Sequence, residues 1–587
     1  MPPLMFGGLV IFMLIGFPVA FSLMALGLFF GVISIELGFF NVAFLQAIPQ
    51  RIFGSVLAND LLLAIPFFTF MGAVLEKCGL AEEMLDSMGQ LFGPIRGGLG
   101  YSVIIVGFVL GAISGTVAAQ VITMALISLP VMMRYRYNMR YTTGVLAASG
   151  TITQLVPPSL VLVVLADQLR TPTASANVGA MYLGAWGPSL VQIALFVLYT
   201  FMLSRIKPDW MPAIPKEDLS LRGWALWKMC LRGIIPSAVL IFMVLGTMML
   251  GIATPTESGA MGALGAVILA VIRDKEFSSR DKLVFRAGLV AALVGAAVGV
   301  WFWTGESDRL QGAQQTLLHI ALGVLYLAIA WIVFRATRIR QLRELIVSGY
   351  QSTMRLTAMV VFILIGSTCF SVVFMGVDGG TWVENLFTSL PGGEVGFLLV
   401  VNLFIFFLAF FLDFFEIAFI VIPLLAPVAQ KVLAPALLPL MGTPEAAASA
   451  ALVWFGVMLC VNMQTSFMHP PFGFALFYLR GVAPKEVKSS DIYWGALPWV
   501  GLQLLMVGLV IAFPQLVTAL LDKGTTDAAP GSLVIERPAG DAFSAPEQPG
   551  FLPEGEKSDG AGTGGDAAKD GDAETPPTFA PEPEEKK

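Results

Sequence analysis

Charge is scarce in this sequence: Asp, Glu, Lys and Arg make up 13% of 587 residues, roughly half the share of an ordinary soluble protein. Histidine and cysteine are scarcer still, at 2 and 4 residues. Cys78, Cys230, Cys369 and Cys460 stand far apart, in or beside apolar segments. That scatter offers no metal spacing and no disulfide framework, and fits small core-filling side chains. The amino-terminal stretch lacks a basic region, and its apolar run is much longer than the core of a cleaved signal, so it is expected to stay as a first membrane helix. There is no Walker phosphate loop, no Gly-rich dinucleotide fingerprint after a strand, no HExxH and no nucleophile elbow. Their absence argues against an ATP-driven pump and against an enzyme, and leaves coupling to an ion gradient.

What the chain has instead is apolar length. Hydrophobic residues make up 57%, and mean hydropathy is +0.81. Runs with few or no charges cover 4–35, 102–133, 289–303 and 358–377, which predicts a polytopic α-helical membrane protein. The short alternating segments of a membrane β-barrel are missing. The net charge of −6 conceals two regions. Residues 522–587 hold 15 acidic and 6 basic residues, a net of −9, in a Gly-, Pro- and Ala-rich context that predicts disorder.

Basic clusters at 134–140, 205–232, 273–286, 335–355 and 480–488 fall between apolar runs. Placing all five in the cytoplasm gives a cytoplasmic amino terminus and an external tail. Two runs then resist simple crossing. The stretch 102–133 has 32 uncharged residues, where one crossing needs about 20 and two need about 40; its centre reads GAISGT. The stretch 395–429 carries Asp413 and Glu416 near its middle. Each is expected to be a re-entrant hairpin.

A long interrupted helix follows each hairpin: 147–169, broken at SGTITQLVPPS, and 451–479, broken at NMQTSFMHPPF. The Pro–Pro pairs that end the breaks, 157–158 and 470–471, are 313 residues apart. One crossing helix ending in a Gly-containing turn precedes each hairpin, over 52–77 and 357–377. The same order in opposite orientation is the pattern of inverted-topology repeats, whose broken helices mark the binding site of a secondary transporter. The expected organisation is a first scaffold helix (1–51), repeat 1 (52–177), scaffold helices (178–272), an inserted helix pair with cytoplasmic connectors (273–355), repeat 2 (356–480), a last helix (481–521) and the acidic tail (522–587). The fold class is thus an all-α polytopic membrane protein with two re-entrant hairpins and two broken helices.

Unwound backbone in a membrane exposes carbonyls that can replace the hydration shell of Na⁺, and half-helix amino termini attract anions. The candidate cation ligands are Ser114, Gly115, Ser149, Gly150 and Thr151 in repeat 1, and Asn462, Gln464 and Thr465 in repeat 2. Thr116, Thr153, Pro157, Asp413, Ser466 and Pro470 are the candidates for substrate contact. Close helix packing by small residues is the competing reading of these motifs. Asp413 is either a functional carboxylate or a helix N-cap completed by Glu416. Thr254–Pro255–Thr256–Glu257 reads as a helix start, with Glu257 in a capping role. His469 reads as a neutral, hydrogen-bonded residue in the break, with a proton relay as the alternative.

At these motifs the chain resembles the large membrane subunit of tripartite ATP-independent periplasmic (TRAP) transporters. The resemblance covers most of residues 1–514 and rests on LIGFPVAFSL, IPFFTFMGAVLEKCGLAEEML, GAISGTVAA, GTITQLVPPSLVLVVLADQL, GIATPTESGAMG, FLDFFEIAFIVIPLLAPV and PPFGFALFYLRGVAP. The inserted pair resembles the longer mannitol/chloroaromatic-type subgroup. The resemblance implies a Na⁺-driven importer of organic anions, usually carboxylates, in the bacterial inner membrane. It implies an elevator mechanism, a periplasmic substrate-binding protein and a separate small four-helix membrane subunit. It places Na⁺ at Ser114 and Gly115, at 149–151 and at 462–465. Two residues depart from the pattern: His469 stands where Thr would precede the second Pro–Pro, and Gln120 is larger than expected after the first hairpin's tip. A stand-alone carboxylate symporter and a non-transporting membrane scaffold are the alternative readings.

Overall fold

The computed structural model describes residues 1–219, 223–273, 338–389, 391–470 and 473–523, with positions 323, 327, 330, 331 and 334. The side chains of Leu14, Ser114 and Lys216 are not described. The expected inserted pair (289–303 and 316–334, those five positions apart), residues 524–587 of the tail, and Pro471 lie outside the described residues.

Backbone inside a membrane must satisfy its own hydrogen bonds, and apolar runs do so as helices. The described chain is helical, with one isolated bridge between Arg170 and Ser175. Among the described residues nine helices are long and apolar enough to cross a membrane, or up to 11 if two bent pairs each count once. Large apolar side chains such as Phe21, Phe29, Trp224, Phe242 and Phe477 are exposed, as expected of faces turned to lipid.

The run 4–35, expected as one helix, is two. α1 (Pro2–Ile15) stops at Gly16, which caps it at φ 94, and α2 (Val19–Glu36) starts after Pro18. A left-handed Gly followed by a residue with no N–H ends a helix whatever its hydropathy. The crossing expected over 52–77 is also interrupted. α3 (Val42–Ile52) continues as a π turn, Phe53–Leu57, and a 3₁₀ turn, Asp60–Leu63, before α4 (Ala64–Lys77), with a 47° bend. Asn59 holds this bend: its carbonyl accepts from Leu61 N at 3.0 Å and its amide donates to Asp167 Oδ1 at 2.9 Å.

After α5 (Leu80–Phe92) comes the first hairpin. α6 (Gly98–Ser114) and α7 (Val117–Arg134) turn at Gly115–Thr116, with Gly115 at φ 65. The first broken helix follows as α8 (Met139–Thr151), a 3₁₀ turn Ile152–Gln154, and α9 (Leu160–Gln168). Next come α10 (Val178–Ile206), α11 (Trp224–Met249) and α12 (Pro255–Arg273). Glu257 caps the start of α12: its Oε2 accepts from Thr254 N at 2.7 Å and from Thr254 Oγ1 at 2.9 Å.

The second half repeats the order. α13 (Arg340–Gly376) begins well before the crossing expected over 357–377 and packs along α2. α14 (Gly379–Thr388) leads to the second hairpin: α15 (Gly393–Leu408), then α16 (Phe414–Ile420) and α17 (Ile422–Met441). Its descending arm runs to Met441 rather than the expected 429. The second broken helix is α18 (Pro444–Met463), a 3₁₀ turn Gln464–Phe467, and α19 (Phe474–Val482). α20 (Ser489–Ala512) and α21 (Gln515–Thr518) close the described chain.

Packing interlocks the two halves. α9 contacts α16 and α18, while α19 contacts α7 and α8. The second arm of each broken helix therefore leans on the other repeat. The span Pro444–Phe467 is 89% buried, against 28–56% for the other unbent spans. It is a central protein-enclosed element rather than a lipid-facing one.

Candidate functional site

Both breaks arise the same way. Where the α-helix ends, the hydroxyls bond back to carbonyls three residues earlier. Thr151 donates to Ala148 O (2.9 Å), Thr465 to Asn462 O (2.7 Å) and Ser466 to Met463 O (2.7 Å). Such local bonds compete with helix continuation, and proline then removes donors from the next turn.

The first break is held close to hairpin 1 by glycine. A Cβ on Gly107 would lie 2.8 Å from Ser149 Cβ, and one on Gly111 3.3 Å from Thr153 Cα. Ser149 therefore faces α6, with its hydroxyl buried and unpartnered among the described residues. Gln120, on α7, spans the seam. Its amide donates to Gly107 O at 2.6 Å and Ser149 O at 3.0 Å. The Thr153 hydroxyl lies within reach of Gln120 Oε1 and of Gly150 O, the latter at 2.9 Å. Other carbonyls of the break are also met from outside. Leu155 O accepts from Ser189 on α10 at 3.1 Å, and Gln154 O accepts from Cys460 Sγ on α18 at 3.1 Å and from Ser159. Thr151 points elsewhere, accepting at 3.0 Å from Gln503 on α20.

The second break is joined to hairpin 2 by an amide of its own. Asn462 Nδ2 donates to Asn402 O at 2.8 Å and Asn402 Oδ1 at 3.0 Å, while Asn462 Oδ1 is buried without a described partner. Gln464 and Gln192 on α10 form a reciprocal amide pair, at 2.7 and 3.3 Å. Among the described residues, no side chain from another element donates to a backbone carbonyl of this break. The unpartnered buried side-chain atoms concentrate here and at the first break, at Ser149, Gln154, Asn462, His469 and Gln503. Buried polar atoms without partners are costly, so this clustering marks space for something polar.

Asp413 is the N-cap of α16. Its carboxylate accepts from Glu416 N at 2.9 Å, and Glu416 Oε2 accepts from Asp413 N at 3.0 Å, a closed capping box. His469 is buried between two phenylalanines, stacked on Phe410 (4.1 Å between centroids) and edge-on to Phe406 (4.4 Å). The Ala409 carbonyl lies nearby, yet neither ring nitrogen makes a hydrogen bond of good geometry. An aromatic clamp thus replaces the hydrogen-bonded histidine expected from sequence.

The structure brings Ser149, Gly150 and Thr153 together with hairpin 1. It brings Asn462 to hairpin 2, and turns Thr151 and Gln464 outward to partner glutamines. Ser114, Gly115 and Thr116 form the first hairpin's tip. Thr465 and Ser466 are occupied locally. Pro157 and Pro470 bound the breaks. Sequence reading missed Gln154, Gln192, Asn402 and Gln503 as members. Their common signal is a single amide inside an otherwise apolar stretch, which is costly unless partnered. Among the described residues no three His, Cys, Asp or Glu side chains cluster, so a cation here would be met by neutral oxygens, the donor set suited to hard cations.

Residues 6–304 and 309–516 match the family described as "Tripartite ATP-independent periplasmic transporter, DctM component". The chain is 25% identical over 512 residues to a C4-dicarboxylate TRAP transporter large permease protein DctM of Vibrio cholerae, covering 86% of this chain and 94% of that protein. It is 23% identical over 501 residues to the sialic acid TRAP transporter large permease protein SiaM of the same species, covering 85% and 93%. It is 22% identical over 514 residues to the isethionate TRAP transporter permease protein DctMQ of Oleidesulfovibrio alaskensis, covering 88% of this chain and 65% of that protein.

Proposed function

The chain belongs to the DctM family of TRAP transporters, a multi-pass large permease of the inner membrane, and from that premise we propose that it is the Na⁺-coupled permease of an organic-anion importer. A carboxylate is the favoured substrate class, because the DctM and SiaM relatives are named for carboxylates. Membership implies a periplasmic binding protein and a small membrane subunit. The binding protein delivers the anion to the membrane part that this chain and the small subunit form. The amino terminus lies in the cytoplasm and the carboxyl-terminal tail in the periplasm.

One observation carries the reading: buried side-chain oxygens without described partners lie at both helix breaks, each packed against a hairpin. Na⁺ at this place would supply positive charge to balance the substrate anion and couple its movement to the ion gradient. At the second break the residues fit it: Asn462 Oδ1 has no described partner, and backbone carbonyls of the unwound turn lie nearby. Asn402 orients Asn462 by accepting from its Nδ2 at the backbone and side-chain oxygens. The first hairpin's tip, Gly115–Thr116, offers an amide-rich helix start to an anion. Hairpins and broken helices move together as the transport body of an elevator, against a scaffold that includes α2 and α13.

The test is uptake into proteoliposomes containing this chain, its small subunit and its binding protein. The expected result is accumulation of a radiolabelled dicarboxylate or sialic acid driven by an inward Na⁺ gradient. Equal accumulation with K⁺ replacing Na⁺ on both sides would remove the coupling.

A further inference from the structure

Gln120, on the second arm of the first hairpin, sits where an oxygen cage would otherwise be open. It is 2% exposed, and its amide nitrogen is held between two backbone carbonyls of different elements, Gly107 O on α6 and Ser149 O on α8. Helical N–H groups satisfy one lone pair of such carbonyls, and a second acceptor direction remains for another donor or a cation. A primary amide has two N–H donors, and Gln120 aims both at these oxygens. Its own carbonyl faces the Thr153 hydroxyl. The Ser149 hydroxyl, on the same face of α8, is buried and without a described partner. Gly107 O, Ser149 O and Thr153 Oγ1 thus meet at the Gln120 head. They are neutral hard oxygens of the kind that replace the hydration shell of an alkali cation.

We propose that the Gln120 amide stands in the place of a cation between hairpin 1 and the first broken helix, so that this chain takes no Na⁺ there and shortening the side chain creates a Na⁺ site. The amide serves as a tethered partial positive charge. It ties hairpin 1 to the break permanently, where an exchangeable ion would tie them only when bound. The contrast with the second break supports this. There the bridging amide, Asn462, donates to the hairpin but leaves an oxygen without a described partner, and among the described residues no side chain from another element donates to a backbone carbonyl of the break. A small cavity lies beside Gln120. A cavity of about 20 Å³ is lined by Gln120, Thr123, Leu110, Ile113 and the carboxylate-bearing Glu76, and Glu76 Oε1 accepts from Thr123 at 3.2 Å. That is room for about one water, and removal of the Gln120 head would enlarge it by the space the head fills beside Gly107 O, Ser149 O and Thr153 Oγ1.

The proposal rests on the Na⁺-coupled reading for its meaning in transport, but its test counts bound ions and needs no transport. Purified chain is assayed for ²²Na⁺ bound per molecule at saturation, for wild type, Gln120→Ser and Gln120→Leu. Gln120→Ser is expected to bind one Na⁺ more than wild type, and Gln120→Leu, which fills the space without an oxygen, the same number as wild type. A Gln120→Ser chain that elutes as a folded monodisperse species with the wild-type count overturns the proposal. So does an extra ion in Gln120→Leu, because the added site would then not depend on an open oxygen cage. Should Gln120→Ser be unstable, its melting in NaCl and in choline chloride decides. Folding restored by Na⁺ alone supports the cage, and unfolding in both salts overturns it. A wild type that binds no Na⁺ beside a variant that binds one would sink the coupling reading while upholding this one.

Discussion

The two breaks are the same device built with opposite economy of space. Counting back from Pro157 and Pro470, Ser149 corresponds to Asn462, Thr151 to Gln464 and Thr153 to Ser466. The tenth residue of each hairpin's first helix faces that seam: Gly107 in α6 and Asn402 in α15. In repeat 1 the small pair Gly107 and Ser149 lets two backbones nearly touch, and Gln120 reaches in from α7 to hold both carbonyls. In repeat 2 the larger pair Asn402 and Asn462 fills the seam from the two facing helices themselves. The second residue of each set turns outward in both repeats, Thr151 to Gln503 and Gln464 to Gln192. Symmetry therefore survives in direction while chemistry diverges: the first seam is bridged by a third element, Gln120, beside a Ser149 hydroxyl without a described partner, and the second is bridged by Asn462 itself, whose Oδ1 has none.

The largest effect should come from forcing the first seam apart. Gly107→Ala would set a Cβ 2.8 Å from Ser149 Cβ and 3.0 Å from Ser149 O. It should cost about 1–3 kcal/mol by overpacking, read as a lower melting temperature in detergent. A cost near zero would mean that the close approach is not structural.

The outward pairs sharpen the comparison. Gln192→Leu strands the buried Gln464 amide, for which a loss of about 1–2 kcal/mol is expected. Gln503→Leu leaves Thr151 bonded to Ala148 O, and should cost about 0.6 kcal/mol, the usual scale for a hydrogen bond between membrane helices. Denaturant titration of the two variants should rank them in that order, and the reverse ranking would break the assignment of Gln192–Gln464 as the tighter link. The smallest change belongs to Ser149→Ala. Its hydroxyl has no described partner, so stability should stay within about 0.5 kcal/mol of wild type; a loss above about 1 kcal/mol would reveal a bond that the hydroxyl makes.

Much of this was legible in the sequence because it is written in helix-breaking chemistry. Gly115–Thr116, the Pro–Pro pairs and the Asp413–Glu416 cap each act through their own backbone, so spacing alone pointed to the helix interruptions that lie beside them. Glu257 was legible for the same reason. The sequence misled where a local breaker sat inside a long apolar run, as at Gly16–Pro18 and Asn59, since hydropathy is blind to φ. Partners remote in sequence were not legible at all. Gln192, Asn402 and Gln503 are lone amides whose meaning depends on what faces them across another helix. Gln120 looked merely oversized until its two carbonyl acceptors were in view, and His469 looked like a hydrogen-bonding residue until Phe406 and Phe410 enclosed it.

The central claim is that the second break, not the first seam, seats the coupling cation. It is tested most directly by the Na⁺ concentration that half-activates uptake in proteoliposomes carrying the full transporter. Asn462→Ala should raise that concentration by about tenfold, equivalent to about 1.4 kcal/mol, while Ser149→Ala should leave it within about twofold of wild type, roughly 0.4 kcal/mol. Equal shifts in the two variants, or no shift in Asn462→Ala, would contradict the account.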